Sequence, residues 1–548
     1  MKSVITNILA KKKLHIFFLF YLIMLLPLLT PLAENLNTLE VVALIVINSI
    51  LFLSLAVLSV FCSSRFEKII YSGIFIISYL PFSIYTSYLL FARVLLQKNS
   101  IISLFETNPE ESKEFLAHYF SPWIVAACVA YILVCFLIIW KMKGNKRLKV
   151  KEHKASFYSA LIAFSIIIVS PHLSQAVYFV TFYRMFVNYK MDLAKEERAI
   201  ADRQNHPYEV GVVEKDSVPQ TIVVVIGESL ARNHMSLYGY GRNTNPELEK
   251  LGDSLIVYKD VVSPQVHTIP VMRSVLSLYD RDCFDNITEK PSLFELFNRA
   301  GYKTYFISNQ SFGGNFSTSY DAFLDLAESV DNLSVDNQHD EIVLPALKNI
   351  MSQPGKENKL ILIHLIGNHM AYEFRYTPSY NVFSNSEDSK IEETLFRDKK
   401  AIHTIDKYDN SVLYNDFVIA GMIEILKKQQ ERKTALIYFS DHGEEVYEVR
   451  DFSGHAYEKV STYMCEVPFV VWFSPTFLNN RNDLFIDINR PFSTAGFLYS
   501  LSNMAGIRYK DYDASKSIFS DTFSPSDRYV GGYTYDEVKE KTERMKNK

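Results

Sequence analysis

Cysteine is scarce: five in 548 residues. Cys62, Cys128 and Cys135 fall inside long apolar runs, so only Cys283 and Cys465 lie outside them. One possible pair cannot staple a domain of several hundred residues, which excludes a disulfide scaffold and leaves the pairing of Cys283 with Cys465 open. A basic excess is missing too. Lys and Arg number 57 against 61 Asp and Glu, a net charge of -4, which argues against a nucleic-acid partner. There is no internal repeat or low-complexity linker, and 14% aromatic residues are enough for a large core, so disorder is excluded. The most informative absence is local: residues 1–190 contain no Asp. They hold 18 Lys/Arg and 8 Glu, a net of +10; taken from the totals, this leaves 39 Lys/Arg and 53 Asp/Glu in the last 358 residues, a net of -14. Two chemically different halves share one chain.

What the first half has is apolar length. Runs at about 14–33, 41–62, 69–92 and 123–140 each approach the ~20 residues that a helix needs to cross the hydrocarbon core. A fifth, 155–180, stays apolar despite Ser, His and Pro. Residues 1–180 are therefore expected to form a five-helix transmembrane domain. Lys11, Lys12 and Lys13 ahead of the first run suggest a signal peptide, but the run is too long, lacks a small-residue cleavage site and is followed by further spans, so an uncleaved anchor is favoured. Lys2 and Lys11–13 precede the first run, Arg65 and Lys68 follow the second, and seven Lys/Arg lie between Lys141 and Lys154, whereas 34–40 and 97–121 carry more acid than base. The positive-inside rule then puts the N-terminus in the cytoplasm and, after five crossings, everything beyond about Tyr189 outside. Residues 181–215 are expected to form an interfacial or linker segment. Within it and just before, 178–189 (YFVTFYRMFVNY) mixes aromatics with Arg184 and reads either as an interfacial helix or as a continuation of the fifth span.

Residues 216–532 alternate short β-rich runs with amphipathic helical ones. The runs 221–226 (TIVVVI), 303–308 (KTYFIS), 359–366 (KLILIHLI), 434–439 (TALIYF) and 468–473 (PFVVWF) are continuously apolar, as suits strands covered on both faces. Helices are expected at 292–300, stopped by Gly301, and at 410–427. The alternation predicts an α/β sandwich around a mostly parallel sheet. The polar tail 533–548 is expected to fray.

Ligands bind such sheets beyond the carboxyl ends of the strands, and the residues found there are chemically suggestive. One strand runs into Gly227-Glu228-Ser229, another into Ser440-Asp441-His442-Gly443; a third carries His364 and ends in Gly367-Asn368-His369, with Thr268 and His455 nearby in sequence order. Zinc accepts N and O ligands tetrahedrally, and Glu228, Asp441 and His442 supply three. A hydroxyl as fourth ligand would lose its proton readily, so Thr268 could act as a nucleophile. His364, His369 and His455 could hold a phosphate or a second metal. Phosphoryl transfer needs mainly positioning and charge neutralisation, which such a site supplies. Singly, each residue has an ordinary reading: Asp441-His442 as loop chemistry, Glu228 as a helix N-terminal charge, His364 as a hydrogen-bonded core histidine.

The order of the motifs is what distinguishes them. Gly227-Glu228-Ser229, then 236–248 (SLYGYGRNTNPEL), Gly367-Asn368-His369, Tyr408-Asp409-Asn410-Ser411 and Ser440-Asp441-His442-Gly443-Glu444 resemble the bacterial phosphoethanolamine transferases. These are five-span inner-membrane enzymes of the alkaline phosphatase/sulfatase superfamily. The resemblance spans essentially the whole chain and includes the outer loop Thr107-Asn108-Pro109-Glu110-Glu111-Ser112. It implies an alkaline phosphatase/sulfatase-type α/β sandwich outside the membrane. It implies zinc at Glu228, Thr268, Asp441 and His442, with one ion and room for a second, and Thr268 as the residue that becomes phosphorylated. His364, His369 and His455 match residues that contact the phosphoryl group or a further zinc, and Asn108 and Glu111 match lipid-substrate residues. The implied donor is phosphatidylethanolamine and the implied acceptor lipopolysaccharide, at lipid A or core, or another envelope glycan, handled by a monomer in contact with membrane lipids. The modification would confer resistance to cationic antimicrobial peptides. Two external cysteines cannot form the several disulfides of lipid A-modifying members, and 441–455 (DHGEEVYEVRDFSGH) departs from their DHGESLGE pattern toward a branch whose acceptors include the core. A phosphoglycerol transferase of the same superfamily is the nearest alternative. A sulfatase or phosphatase-type hydrolase, or an inactive membrane assembly protein, is further away.

Overall fold

A computed structural model describes residues 13–107, 113, 122–141, 148–203, 208–212, 218–278, 290–310, 321–324, 326–334, 339–384 and 398–547. The chain divides into two compact units, Met1–Phe105 with Phe115–Met191 and Glu106–Glu114 with Asp192–Lys548.

In the first unit, four helices are long and apolar enough to cross a membrane among the described residues: His15–Leu32, Thr38–Ser59, Arg65–Leu90 and Pro122–Lys141. Large apolar side chains such as Leu39, Ile76, Trp123 and Trp140 stay exposed on them, as lipid-facing helices require, while Phe18, Leu22, Tyr71, Phe82 and Tyr131 pack inward. The fifth expected span is not among these four. Its helix, Lys154–Val169, has 16 residues, about 24 Å at 1.5 Å per residue, against a core of ~30 Å. Ser170 ends it and caps the next turn, its hydroxyl accepting from the Leu173 N–H at 3.3 Å with Pro171 in first position. A Ser-Pro pair starts a helix as readily as it interrupts an apolar run. Nor does 178–189 continue that span: it opens a separate helix, Tyr178–Arg203.

The second unit is built on a seven-stranded sheet. In chain order its strands are β1 Gln220–Gly227, β2 Leu255–Val257, β3 Tyr302–Ser308, β4 Ser329–Asn332, β5 Asn358–His364, β6 Lys433–Ser440 and β7 Phe469–Phe473. The spatial order is β2-β7-β6-β1-β5-β3-β4. From β6 to β4 all neighbours are parallel, but β7 runs antiparallel to both β6 and β2, so the sheet is mixed. All five expected strands are present. The two additions are edges: β2 has three residues, and β4 ends in exposed Asp331 and Asn332.

Alternation along the strands explains their unbroken apolarity. Ile222, Val224 and Ile226 face one buried cluster with Leu360, Leu362 and Ile437; Val223 and Val225 face the other with Ile361, Ile363 and Leu436. Each such side chain contributes about 1.5–3 kcal/mol by leaving water. The helix Lys399–Lys427 covers the second face. It begins eleven residues before the expected start, where the Asp398 side chain accepts from the Ala401 N–H at 2.7 Å. The helix Leu293–Arg299 matches expectation and is opened by a Ser292/Glu295 capping box. The expected fraying of the tail is corrected: Tyr535–Lys546 is a helix with a Thr534/Glu537 capping box. Tyr535 and Val538 bury against Val262, Val266 and Met464, and Thr542 Oγ1 accepts from the Thr462 N–H at 3.0 Å.

Candidate active site

Register brings the strand ends level. Gly227 of β1 pairs with Ser440 of β6, and His364 of β5 pairs with both Ile226 of β1 and Ser308 of β3. The residues that follow, Glu228, Asp441 and Asn309-Gln310, therefore emerge along one edge. Backbone bonds fix the exits: the Asp441 N–H donates to Gly227 O at 3.0 Å and the Asn368 N–H to Glu228 O at 2.8 Å. Gly367, at φ +51, permits the second crossing, because a Cβ there would meet the Glu228 backbone at 2.7–2.8 Å. Ser229 bends the chain after Glu228 at φ +56. This uncommon conformation for a non-glycine residue is held by Tyr408, whose hydroxyl donates to Ser229 O at 2.6 Å and accepts from the Ala231 N–H at 2.9 Å.

Thr268 is the first residue of the helix Thr268–Val275 and is half-buried. Its hydroxyl donates to the Glu228 carboxylate, 3.1 Å from Oε2 and 3.3 Å from Oε1. Behind it, Glu228, Asp441 and His442 are almost fully buried, and their ligand atoms lie within 4.8 Å of one another. Asp441 Oδ1 accepts from the Ser229 and His442 N–H groups at 3.1 and 2.6 Å, while His442 Nδ1 faces Gly443 O at 2.9 Å. That leaves Asp441 Oδ2 and His442 Nε2 buried without hydrogen-bond partners, 3.4 Å apart, with Glu228 Oε1 3.4 Å from the imidazole. Orphaned acceptor and imidazole atoms converging on a carboxylate fit a small divalent cation. Electrostatics agree. Burial and the Glu228 charge push Asp441 up to about 7. Burial works against charge on His442, but Asp441 and Glu228 outweigh it and push it up to about 10. The cluster is short of positive charge, which a cation would supply.

The other expected site residues separate into three groups. His455 is gathered in: its Nδ1 lies 3.0 Å from Glu444 Oε2, and its ring centroid 4.2 Å from that of His442 and 4.9 Å from that of His267. Glu444, which also accepts from the Tyr372 hydroxyl at 2.7 Å, completes a second potential cation set with His442 and His455. His369 is half-buried; burial works against a charge on Glu228, but His442 and, after it, His369 outweigh it and hold its carboxyl well below the usual carboxylate range. His364 is fully buried, and burial lowers it to about 4; its Nε2 lies 3.2 Å from Gln310 Nε2, which in turn reaches Glu228 at 3.0 Å. Asn108, Glu111 and Cys283 lie outside the described residues. Cys465 is buried with its thiol toward Thr462 O at 3.5 Å.

Sequence reasoning missed Gln310, His267 and a buried network beside the site. In that network His234 bridges Asp409 (2.7 Å) and Glu448 (2.9 Å), and Arg242 joins Asp409 (2.7 Å) to Asp406 (2.6 Å). Gln310 sits just past the end of β3, so the strand-end rule that found Glu228 and Asp441 could have found it.

The sulfatase family model matches residues 220–507, more than half of the chain. The chain belongs to the sulfatase family. Within it, this sulfatase-family chain is 29% identical over 520 residues to phosphoethanolamine transferase EptC of Escherichia coli (strain K12), covering 88% of each. The crystal structure of the C-terminal periplasmic domain of Escherichia coli EptC in complex with Zn is 30% identical, covering 60% of this chain and 93% of that one at a TM-score of 0.56. The integral membrane protein lipooligosaccharide phosphoethanolamine transferase A of Neisseria meningitidis has the same fold, with a TM-score of 0.67 over 93% of this chain and 98% of that one at 20% identity. The resemblance read from the motifs thus holds.

Proposed function

We propose that the chain transfers phosphoethanolamine from phosphatidylethanolamine to a cell-envelope acceptor, lipopolysaccharide foremost, with Thr268 as nucleophile. The observation that carries this reading is the half-exposed Thr268 hydroxyl, 3.1 Å from the carboxylate of Glu228, in front of orphaned Asp441 Oδ2 and His442 Nε2. The relatives named phosphoethanolamine transferases support the headgroup, and the Zn complex of one of them supports the metal. Glu228, Thr268, Asp441 and His442 would hold zinc, which when bound lowers the pKa of a hydroxyl and offsets phosphate charge.

The chain's own residues set the rest. Glu228 accepts the Thr268 hydrogen bond and so fixes where Oγ1 stands. Attack forms an Oγ1–P bond as the bond from phosphorus to the diacylglycerol oxygen breaks, and diacylglycerol leaves with a proton. An acceptor hydroxyl or phosphate then attacks the phosphothreonine, returning Thr268 to its free form. His455, kept neutral by burial and by His442, and His369 stand beside the reacting position. Residues 216–532 would act on the outer face of the inner membrane, with the N-terminus cytoplasmic. That orientation requires Lys154–Val169 to cross as a fifth, short span, locally thinning the bilayer; protease protection of 216–532 in spheroplasts would refute it. The added ethanolammonium group reduces surface negative charge and weakens binding of cationic peptides.

The test uses the full chain in detergent micelles with headgroup-labelled phosphatidylethanolamine. The Thr268 peptide gains the mass of phosphoethanolamine, and Thr268→Ala releases no diacylglycerol above background. Release by Thr268→Ala at the unmodified rate would sink the mechanism. In a parallel assay with headgroup-labelled phosphatidylglycerol, transfer of glycerol with none of ethanolamine from phosphatidylethanolamine would replace the headgroup assignment.

A further inference from the structure

Gln310 is poised on the rear of the proposed metal ligand. Its backbone is clamped by Ser308, whose hydroxyl accepts from the Gln310 N–H and donates to its carbonyl, each at 3.0 Å. Asn309 is pinned by its N–H to His364 O at 2.9 Å and by its side-chain amide to Asp340 at 2.9 Å. From this fixed turn the Gln310 Nε2 reaches Glu228 Oε2 at 3.0 Å, Leu365 O at 2.8 Å and His364 Nε2 at 3.2 Å. The first two partners are a carboxylate and a carbonyl, which only accept, so the atom facing them must be the amide nitrogen. The amide has two hydrogens for these three neighbours; the shorter contacts to Leu365 O and Glu228 Oε2 take them, with the His364 ring against the same nitrogen.

We infer that Gln310 is a positioning residue for the metal centre: its side-chain amide fixes the Glu228 carboxylate in the orientation that presents it to the cation and to Thr268. This rests on Glu228 being a zinc ligand, as proposed above. Glu228 Oε1 already accepts from Ser229 Oγ at 2.8 Å, so Gln310 and Ser229 together hold one oxygen each and leave the carboxylate no free rotation. His364 thereby acts through Gln310 as the far wall of this clamp. Groups that orient metal ligands typically change affinity 10–100-fold when removed.

The experiment is competition of the full chain in micelles against a chromophoric chelator for Zn2+, with Gln310→Met, which keeps the length and loses the donor, Gln310→Ala, and Glu228→Gln as reference. Thermal unfolding of the metal-free proteins is measured in parallel. Both Gln310 variants are expected to bind zinc about 10–100-fold more weakly with the metal-free unfolding midpoint of Gln310→Met unchanged, and Gln310→Met to keep the KM for phosphatidylethanolamine while losing kcat at limiting zinc. Zinc affinity within about twofold in Gln310→Met, while Glu228→Gln loses zinc, overturns the inference alone. Undiminished zinc binding by Glu228→Gln overturns it together with the ligand assignment beneath it.

Discussion

Replacing Gly367 by Ala tests whether the crossing of two backbones sets the site. Gly367 has φ +51, and a left-handed conformation costs a residue with a Cβ about 1–2 kcal/mol. The new Cβ would also lie 2.7 Å from Glu228 N and 2.8 Å from Glu228 O. Relief to ordinary contact requires the two chains to part by about 0.6 Å, more than a close-packed interior absorbs without cost. The bond from the Asn368 N–H to Glu228 O, now 2.8 Å, would stretch beyond useful length, losing roughly 1 kcal/mol more. Gly301 offers a matched control: its φ is +81, but a Cβ there meets nothing within 4 Å. Unfolding midpoints and zinc titrations of both variants, in the full chain in micelles, separate the two effects. Gly301→Ala should lose only about 1–2 kcal/mol and keep zinc affinity. Gly367→Ala should lose roughly twice as much and bind zinc at least ~10-fold more weakly, because the displaced residue, Glu228, is a proposed ligand. Equal destabilisation of the two variants, with zinc affinity intact in both, would refute the claim that this close approach positions Glu228.

Two further outcomes are expected. Burial opposes a charge on His234, but Asp409 and Glu448 outweigh it and push the imidazole up to about 9 from 6.5; its contribution is therefore complete below pH 6.5 and lost as pH rises through 9, up to about 3 kcal/mol. Chemical denaturation across about pH 6–10 should show that slope in the unmodified chain and not in His234→Gln, and identical slopes would count against the ion pairs. Val538 is 1% exposed, so Val538→Asp buries a carboxylate and should cost several kcal/mol of stability in a thermal unfolding scan. At exposed Glu540, replacement by Ala should shift stability by less than about 0.5 kcal/mol, and an unaffected Val538→Asp protein would show that the terminal helix is not docked.

Much of the fold was legible because its signals are local. Strand runs such as 221–226 and 434–439 are apolar at every position since both faces are covered, and period alone exposes that. The misses have equally local causes. Hydropathy averages over 155–180 and passes through Ser170-Pro171, although that pair is also a helix start. The tail's charge suggested fraying, yet Thr534 and Glu537 form a capping box and Tyr535, Val538 and Thr542 fall on one buried face, a pattern that helical spacing already contains. Edge strands β2 and β4 are too short or too polar to announce themselves.

The site divides differently, along the line between residue type and register. Carboxylates and imidazoles at strand ends declare a chemistry by their type and position alone, so Glu228, Asp441 and His442 could be proposed together from the sequence. Which of their atoms are free is a property of pairing. Only the alignment of Gly227 with Ser440, and of Ser308 and Ile226 with His364, turns four separate loops into one ring. That alignment satisfies Asp441 Oδ1 with two backbone N–H groups while leaving Oδ2 bare. It also sets the buried His364 against Gln310, and gives Gln310, an ordinary amide in the sequence, the contact with the Glu228 carboxylate. The proposed nucleophile and its proposed metal set were therefore readable as a list of residues; the clamp that would make them act together exists only once the strands are in register.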